Sequence, residues 1–305
     1  SPDDTFDETY PDVAPDGRLV FASGPEGNTD LFVWDGDGAP RNLTRSPWNE
    51  YGPIWSPDGT QIAFGSRNAD RDIAQIFVIN PDGTNRRQLT DRSGGAVSPA
   101  WSPDGTRIVF VSIGGQQRVD NGWQANTQLW IMDADGSNEQ QITTVGPPGV
   151  ASFEWSPDGQ SLIVSGATTQ IVSMDGRAAV ELAPEVSILG SASWSPDGTV
   201  IAVVAPVGDD SRGPTTLLLV DRDGTTVREL ARSDATIWGL SWSPDSRWIA
   251  FVHGNVPPFE SGPPPPPVAD WSVSVVGRDG ASERMVLDGV YRGEQMAWQR
   301  SSPPE

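Results

Sequence analysis

The residues best suited to bind a ligand form one short run in a connection between strands, Ser46-Pro47-Trp48-Asn49-Glu50-Tyr51. The run combines two aromatic rings, an amide and a carboxylate, which on a concave face is typical of surfaces that capture a peptide or a small ligand. Four residues from other segments are candidates for the same opening: Trp123, Trp238, Tyr291 and Arg292. In the alternative interpretation, Tyr51 and Trp238 only fill gaps between neighbouring structural units.

Catalytic chemistry finds little support in the chain. The single histidine, His253, closes a predicted strand without an evident partner, and no Gly-x-Ser-x-Gly nucleophile turn is present. Repeated Asp-x-Asp-Gly turns resemble fragments of calcium loops but lack the full loop and its terminal bidentate glutamate. We therefore assign no catalytic residue, no metal ligand and no cofactor. A calcium site built from Glu50 and Glu154 is the alternative.

A repeated motif surrounds these candidates and sets the architecture. Trp-Ser-Pro-Asp-Gly starts at Trp55, Trp101, Trp155 and Trp194, and at Trp242 with Ser246 in the glycine position. A weaker copy starts at Val13, and a remnant surrounds Trp298. The steps between copies are 42, 46, 54, 39, 48 and 56 residues. Repeats of this length indicate one structural module built several times.

Each module reads as four antiparallel strands, here called a to d. In the second module, strands are predicted at residues 53–55, 61–66, 75–79 and 86–90, with tight Pro-Asp-Gly turns after the first and third. The polar residues of 86–90 are typical of an outer strand that avoids edge pairing. The b and c strands are nearly continuously apolar, which predicts burial on both faces. We expect the repeated tryptophans to fill the gaps between modules.

The predicted fold is an all-β, six-bladed β-propeller of four-stranded antiparallel blades. Six b–c–d sets compete for seven candidate a strands, so either Trp298 or Asp12-Val13 supplies strand a of the first blade. Trp298 keeps the tryptophan, and we favour ring closure by this C-terminal strand. The predicted domains are an acidic linker at 1–9, a single propeller at 10–300 and a Pro-rich tail at 301–305.

Charge and composition narrow the classes of partner. The chain has 305 residues, no cysteine and a formal net charge of −21. This charge argues against nucleic acid and anionic membrane surfaces, because both would repel the protein. No apolar run approaches the length of a membrane span, so direct insertion is not expected. We expect a monomeric domain with a protein or peptide partner.

The Trp-Ser-Pro-Asp-Gly copies resemble the TolB-type, WD-repeat-like propeller repeats, and the resemblance runs from about Asp12 to Trp298. It implies a non-catalytic scaffold or sensor domain of a larger, extracytoplasmic (periplasmic or cell-surface) protein. Two alternatives stay open: a calcium-dependent lactonase or hydrolase, and an accessory propeller that gates a neighbouring enzyme domain.

The turns after strands a and c are short and uniform, so we interpret them as structural. The connections between b and c and between d and a are irregular and share the opposite face, where we expect function. The long b–c connections are predicted at 67–74, 112–127, 206–214 and 253–270.

Overall fold

A computed structural model of the chain describes residues 9–25, 28–68, 73–119, 122–143, 149–166, 168–175, 179–188, 192–208, 214–225, 227–254, 271–280 and 283–288. All regular secondary structure in these residues is β-strand, in six four-stranded antiparallel sheets whose strands pair in chain order. The chain divides into two compact units, Ser1–Val150 and Ala151–Glu305, with three sheets in each. The expected all-β class and the four-stranded modules are confirmed.

The first unit holds sheets 1, 2 and 3. Sheet 1 consists of β1 (Thr9–Val13), β2 (Leu19–Ser23), β3 (Asp30–Trp34) and β4 (Arg41–Asn42). Sheet 2 consists of β5 (Asn49–Trp55), β6 (Ile62–Asn68), β7 (Ile73–Ile79) and β8 (Arg87–Gln88). Sheet 3 consists of β9 (Ala96–Trp101), β10 (Arg107–Val119), β11 (Gly122–Asp133) and β12 (Gln140–Gln141).

The second unit holds sheets 4, 5 and 6. Sheet 4 consists of β13 (Ser152–Trp155), β14 (Ser161–Ser165), β15 (Thr169–Ser173) and β16 (Val180–Glu181). Sheet 5 consists of β17 (Ala192–Trp194), β18 (Val200–Pro206), β19 (Thr215–Asp221) and β20 (Val227–Ser233). Sheet 6 consists of β21 (Thr236–Trp242), β22 (Trp248–Gly254), β23 (Trp271–Gly277) and β24 (Glu283–Asp288).

The repeated motif forms the turn from strand a to strand b through local hydrogen bonds. In sheet 2, Ser56 Oγ donates to Asp58 Oδ1 at 2.6 Å, and the same oxygen accepts from Thr60 N at 3.0 Å. Gly59 N donates to the Ser56 carbonyl at 2.8 Å, and Gly59 has φ 68°, a conformation that favours glycine. Because each donor and acceptor is supplied within the motif, the turn folds the same way wherever the motif occurs.

Four of the five motif tryptophans pack between adjacent sheets of the same unit, as expected. Trp55 lies in one buried cluster with Val20 and Leu31 of sheet 1 and Phe64 of sheet 2. Trp101 holds the corresponding place between sheets 2 and 3. In the second unit Trp194 and Trp242 lie in the clusters between sheets 4 and 5 and between sheets 5 and 6.

Arginines near the start of strand d tie neighbouring sheets together. Arg41 donates to the Pro81 carbonyl at 2.7 Å, and Arg87 donates to the Asp135 carbonyl at 2.7 Å. Arg228 of sheet 5 donates in the same way to the Arg278 carbonyl of sheet 6. In all three cases the acceptor belongs to the c–d turn of the following sheet. The polar outer strand therefore also holds its sheet to the next one by hydrogen bonds.

Two expectations need correction. Strand a of sheet 1 is β1, with Val13 opposite Leu19 and with Ala14 N bonded to the Arg18 carbonyl at 2.8 Å. Strand a of sheet 1 is therefore supplied by the alternative segment, Asp12-Val13, and not by the favoured segment around Trp298. Trp298 itself lies outside the described residues. The 112–127 connection is also not an irregular loop, because β10 and β11 continue to pair from Ser112 opposite Gln128 to Val119 opposite Gly122.

The described residues contain no helix with the length and apolar character that a membrane crossing requires. Residues 1–8, 255–270 and 289–305 lie outside the described part of the chain. The assignment of 10–300 to a single propeller domain, with tails on either side, stays a prediction.

Candidate functional site

The predicted ligand-binding run lies where the chain enters sheet 2. Asn49 Oδ1 accepts hydrogen bonds from the backbone N–H of Thr29, at 3.1 Å, and from its hydroxyl. Glu50 N donates to the Thr29 carbonyl at 3.0 Å. These bonds fasten the start of β5 to the end of the β2–β3 connection of sheet 1, so Asn49 acts here as a structural tie.

Glu50 is fully buried and pairs with an arginine. Its Oε1 accepts from Arg86 Nη2 at 2.9 Å and from Ser66 Oγ at 3.4 Å, whereas Oε2 is buried and has no hydrogen-bond partner. Burial raises the pKa of Glu50; the nearby Thr44 and Ser46 hydroxyls and the Arg86 charge oppose this rise. Neither hydroxyl completes hydrogen-bond geometry at Oε2, so the carboxylate is only half satisfied.

Arg86 is enclosed by three aromatic rings. Its guanidinium carbon lies 5.0 Å from the Phe77 ring centre, 5.1 Å from that of Trp48 and 5.6 Å from that of Phe64. Trp48 meets Phe77 edge-on at 6.0 Å. A guanidinium is attracted to such ring faces, and Glu50 balances its charge. The ion pair therefore holds Trp48 in place on the face of sheet 2 that meets sheet 1.

Tyr51 packs tightly against the backbone of sheet 2. A Cβ added at Gly65 would lie 2.4 Å from Tyr51 Cε2, so only glycine leaves room for the ring. Burial raises the pKa of Tyr51 to about 12. This geometry agrees with the alternative interpretation in which Tyr51 fills a gap.

The other predicted residues are placed only in part. Trp238 occupies in β21 the position that Tyr51 occupies in β5, four residues before the motif tryptophan, and Trp123 lies in β11 near the hairpin end. The side chains of Trp238 and Trp123, and all of Tyr291 and Arg292, lie outside the described residues. Whether they share one opening with Trp48 stays a prediction.

A pocket of about 300 Å³ lies beside Trp48. Its lining consists of Trp48, Ser66, Ile73, Gln75, Phe77, Gln88, Asp91, Arg92 and Ser93. Trp48 is the one residue of this lining that sequence reasoning had singled out. The β8–β9 connection supplies three others, Asp91, Arg92 and Ser93. The sequence could have pointed to this connection, because it matches in length the one that contains Trp48: twelve positions separate Leu43 from Trp55 and Leu89 from Trp101.

Arg92 forms one wall of the pocket and is itself well paired. Its Nε donates to Ser112 Oγ at 2.8 Å, and its Nη1 forms an ion pair with Glu139. The guanidinium carbon lies 3.6 Å from the Trp130 ring centre. The positive charge of this wall is therefore already compensated by sheet 3.

Two further carboxylates, each one residue before a motif tryptophan position, are partly buried. Glu154 accepts from Trp194 N at 3.1 Å and from Ser193 Oγ at 3.4 Å, and burial raises its pKa to about 7. Asp12 accepts from Trp55 N at 2.7 Å, and burial raises its pKa as well. The described partners of Glu154 are a backbone N–H and a hydroxyl, and no arginine is among them.

The remaining chemical candidates have structural partners. His253 Nδ1 lies 3.3 Å from Ser233 Oγ and its Nε2 lies 3.0 Å from Ser274 Oγ, so the histidine does have partners that the sequence did not reveal. Within the described ranges, no group of three or more His, Cys, Asp or Glu side chains lies close enough to hold a metal ion. The calcium alternative stays a prediction.

Comparisons with known proteins place the fold in a family. A model described as "TolB beta propeller domain" matches residues 6–119 and 68–201, and one described as "WD domain, G-beta repeat" matches 224–252. The uncharacterized protein Atu1656 of Agrobacterium fabrum is 31% identical over 150 residues, which are 48% of this chain and 50% of that protein. The chain thus spans about half the length of this curated relative.

Solved structures show the same fold. The putative TolB from Agrobacterium tumefaciens superposes with a TM-score of 0.52 at 22% identity, covering 75% of this chain and 82% of that one. A puromycin-hydrolyzing peptidase from Mycobacterium tuberculosis superposes with a TM-score of 0.64 at 17% identity, covering 94% and 54%. Since the TolB model alone spans residues 6–201 of the 305, the chain belongs to the TolB β-propeller family.

Proposed function

We propose that this protein is a non-catalytic propeller module that binds a protein or peptide through the pocket beside Trp48. The observation that carries the proposal is the pocket itself, about 300 Å³ in volume and lined by two aromatic rings, amides, hydroxyls and opposite charges. A volume of this size suits one or two side chains of an extended peptide. Family membership supports a scaffold or sensor role in a larger, extracytoplasmic protein.

Two polar side chains of the pocket, Gln75 and Ser66, are held by their neighbours, which favours binding over chemistry. Gln75 Oε1 accepts from Thr90 Oγ1 at 2.8 Å and from Arg92 N at 3.0 Å, and Gln75 Nε2 donates to the Arg92 carbonyl. Ser66 Oγ hydrogen-bonds both Glu50 and Arg86. The Glu50 carboxylate is already neutralised by the Arg86 guanidinium. Groups fixed in this way lose little freedom when a ligand binds, which improves affinity.

A peptide-library selection against the purified protein tests the proposal. Ser93→Trp should fill the pocket mouth and abolish binding of the selected peptides. The matched control is Asp234→Trp, because Asp234 follows Leu230 by four residues as Ser93 follows Leu89, and both side chains are exposed. Selected peptides that bind both variants as well as the parent would show that the pocket is not the site.

A second candidate is an accessory propeller that gates a neighbouring enzyme domain. It is favoured by the fold likeness to the puromycin-hydrolyzing peptidase, of which this chain covers 54%. Sequencing of the gene on both sides of the region that encodes these residues tests it, since a hydrolase domain in the same reading frame is required. Fractionation of cells that make the full-length protein tests the extracytoplasmic location.

A further inference from the structure

The pocket beside Trp48 carries one carboxylate that nothing described compensates. Asp91 lines the pocket, is exposed, and has no ion-pair partner among the described residues. The other charged wall, Arg92, is neutralised by Glu139. Glu50 and Arg86 do not line the pocket, and they are neutral as a pair. The pocket therefore presents a single negative charge next to two aromatic rings.

The same unit shows twice which side chain suits such a surface. Arg92 lies 3.6 Å over Trp130 and pairs with Glu139. Arg86 lies 5.1 Å from Trp48 and pairs with Glu50. In both places a guanidinium lies over an aromatic ring on the sheet face and one of its N–H groups donates to a carboxylate. Arginine makes this combination of contacts better than lysine.

We propose that the pocket receives an arginine side chain of the bound peptide, with its guanidinium against Trp48 and Phe77 and its N–H groups toward Asp91. This inference rests on the peptide-binding function proposed above and names the chemistry of the ligand. Trp48 and Phe77 both line the pocket, whereas Arg86, which contacts both rings, does not. Ile73 also lines the pocket and suits the methylene stem. The net charge of −21 would attract a basic peptide.

The test compares two peptides that differ in charge alone. The acetylated and amidated peptide Ala-Ala-Arg-Ala-Ala is titrated into the protein, followed by the same peptide with citrulline, an uncharged isostere of arginine. We expect the arginine peptide to bind about tenfold more tightly. Asp91→Asn should weaken its binding by about fivefold, as expected for loss of one partly exposed ion pair. The citrulline peptide should be unaffected by this substitution.

A control variant separates a local ion pair from general attraction. Glu185→Gln removes one equally exposed charge from the β16–β17 connection and should leave both affinities unchanged. Equal weakening by Asp91→Asn and Glu185→Gln would overturn the inference, because the attraction would then be diffuse. Equal binding of the arginine and citrulline peptides would overturn it too. A lysine peptide that binds as tightly as the arginine peptide would overturn the assignment to a planar guanidinium.

Failure here can be told from failure of the proposed function. If library peptides are blocked by Ser93→Trp but contain no arginine, the pocket binds peptides and only the arginine assignment is wrong. If no selected peptide is blocked by Ser93→Trp, both proposals are wrong. Selected peptides that are blocked and lose binding when their arginine is changed to citrulline support both.

Discussion

Sheets 2 and 3 both place an arginine–glutamate pair over aromatic rings. The residue before strand d is the arginine of the pair in sheet 2 and the glutamate of the pair in sheet 3. In sheet 2 the arginine, Arg86, comes from the residue before strand d and the glutamate, Glu50, from strand a. In sheet 3 the glutamate, Glu139, comes from the residue before strand d and the arginine, Arg92, from the preceding connection. Each arginine also bonds a serine at the matching position of strand b, Ser66 or Ser112.

The two pairs differ mainly in how far the glutamate contacts water. The arginine side chains are similarly exposed, 24% for Arg86 and 21% for Arg92, but Glu50 is 0% exposed and leaves Oε2 without a partner, whereas Glu139 is 27% exposed. A buried pair becomes a large liability when one member is removed, because the other is left charged in a medium that solvates it poorly. A partly exposed pair is rescued by water. Both sets of aromatic rings thus bind an arginine. How much that arginine contributes to the free energy of unfolding depends on how deeply its glutamate is buried.

The largest expected effect is on the buried pair. Arg86→Met keeps the length of the side chain but leaves Glu50 buried without its cation, and should lower the free energy of unfolding by about 3–5 kcal/mol at pH 7. Urea denaturation measures this loss. Adding Glu50→Gln to Arg86→Met should restore much of it, because the charge that needed a partner is then gone. A loss under about 1 kcal/mol from the single change would mean that Glu50 is solvated or already neutral.

An intermediate effect is expected at Glu154, a partly buried carboxylate that has hydrogen bonds but no described arginine partner. Its folded pKa, about 7, is above the ordinary value of 4.5, so the folded state holds the proton more tightly than the unfolded state does. Its contribution is fully present below pH 4.5 and is lost as the pH rises to 7. Glu154→Gln should therefore stabilise the protein by about 2 kcal/mol at pH 8 and change little at pH 4.

Thermal unfolding of the parent and Glu154→Gln across this pH range checks the sign. The two curves should converge below pH 4.5 and separate progressively as the pH rises to about 7. A variant less stable than the parent at pH 8 would show that the charge of Glu154, bonded to Trp194 N, stabilises the fold instead of burdening it. Glu50 differs from Glu154 in that the Arg86 charge opposes the effect of burial on its pKa. A less stable Glu154→Gln would mean that a partly buried glutamate of this fold does not need an arginine to stay charged.

What the sequence predicted well is what is local. The turn at Ser56 and Asp58 is closed by atoms of the motif itself, so its recurrence was enough to predict six four-stranded sheets and the inter-sheet place of Trp55. The weaker copy at Val13 forms strand a although it lacks the tryptophan, because Ala14 closes the turn with Arg18 through the backbone and Asp16 Oδ1 accepts from Arg18 N at 3.2 Å. Identity of the side chain was the wrong criterion there.

What the sequence missed depends on pairing between distant segments. Arg86 and Glu50 are 36 residues apart, and Arg86 looked like one more polar residue of an edge strand. Its neighbour Arg87 points to the other side and bonds carbonyls of sheet 3, so adjacent arginines have different roles that alternation alone could not assign. Likewise, Asp91 and Ser93 lie in a connection without aromatic residues, and only the folded sheet brings them to Trp48.

The smallest effect is expected at the exposed pair. Arg92→Met removes the ion pair with Glu139, the bond to Ser112 and the charge over Trp130, but the methionine stem still covers the ring. The free energy of unfolding should fall by about 1 kcal/mol, which combines a partly exposed ion pair with a cation–π contact. Glu139→Gln should cost less, about 0.5 kcal/mol, because Arg92 keeps its ring and its serine. The loss on Glu139→Gln should also shrink between 50 and 500 mM salt, since screening weakens exposed pairs most. A loss on Arg92→Met as large as that on Arg86→Met would show that the aromatic contact, and not burial of the carboxylate, determines how much each arginine stabilises its sheet.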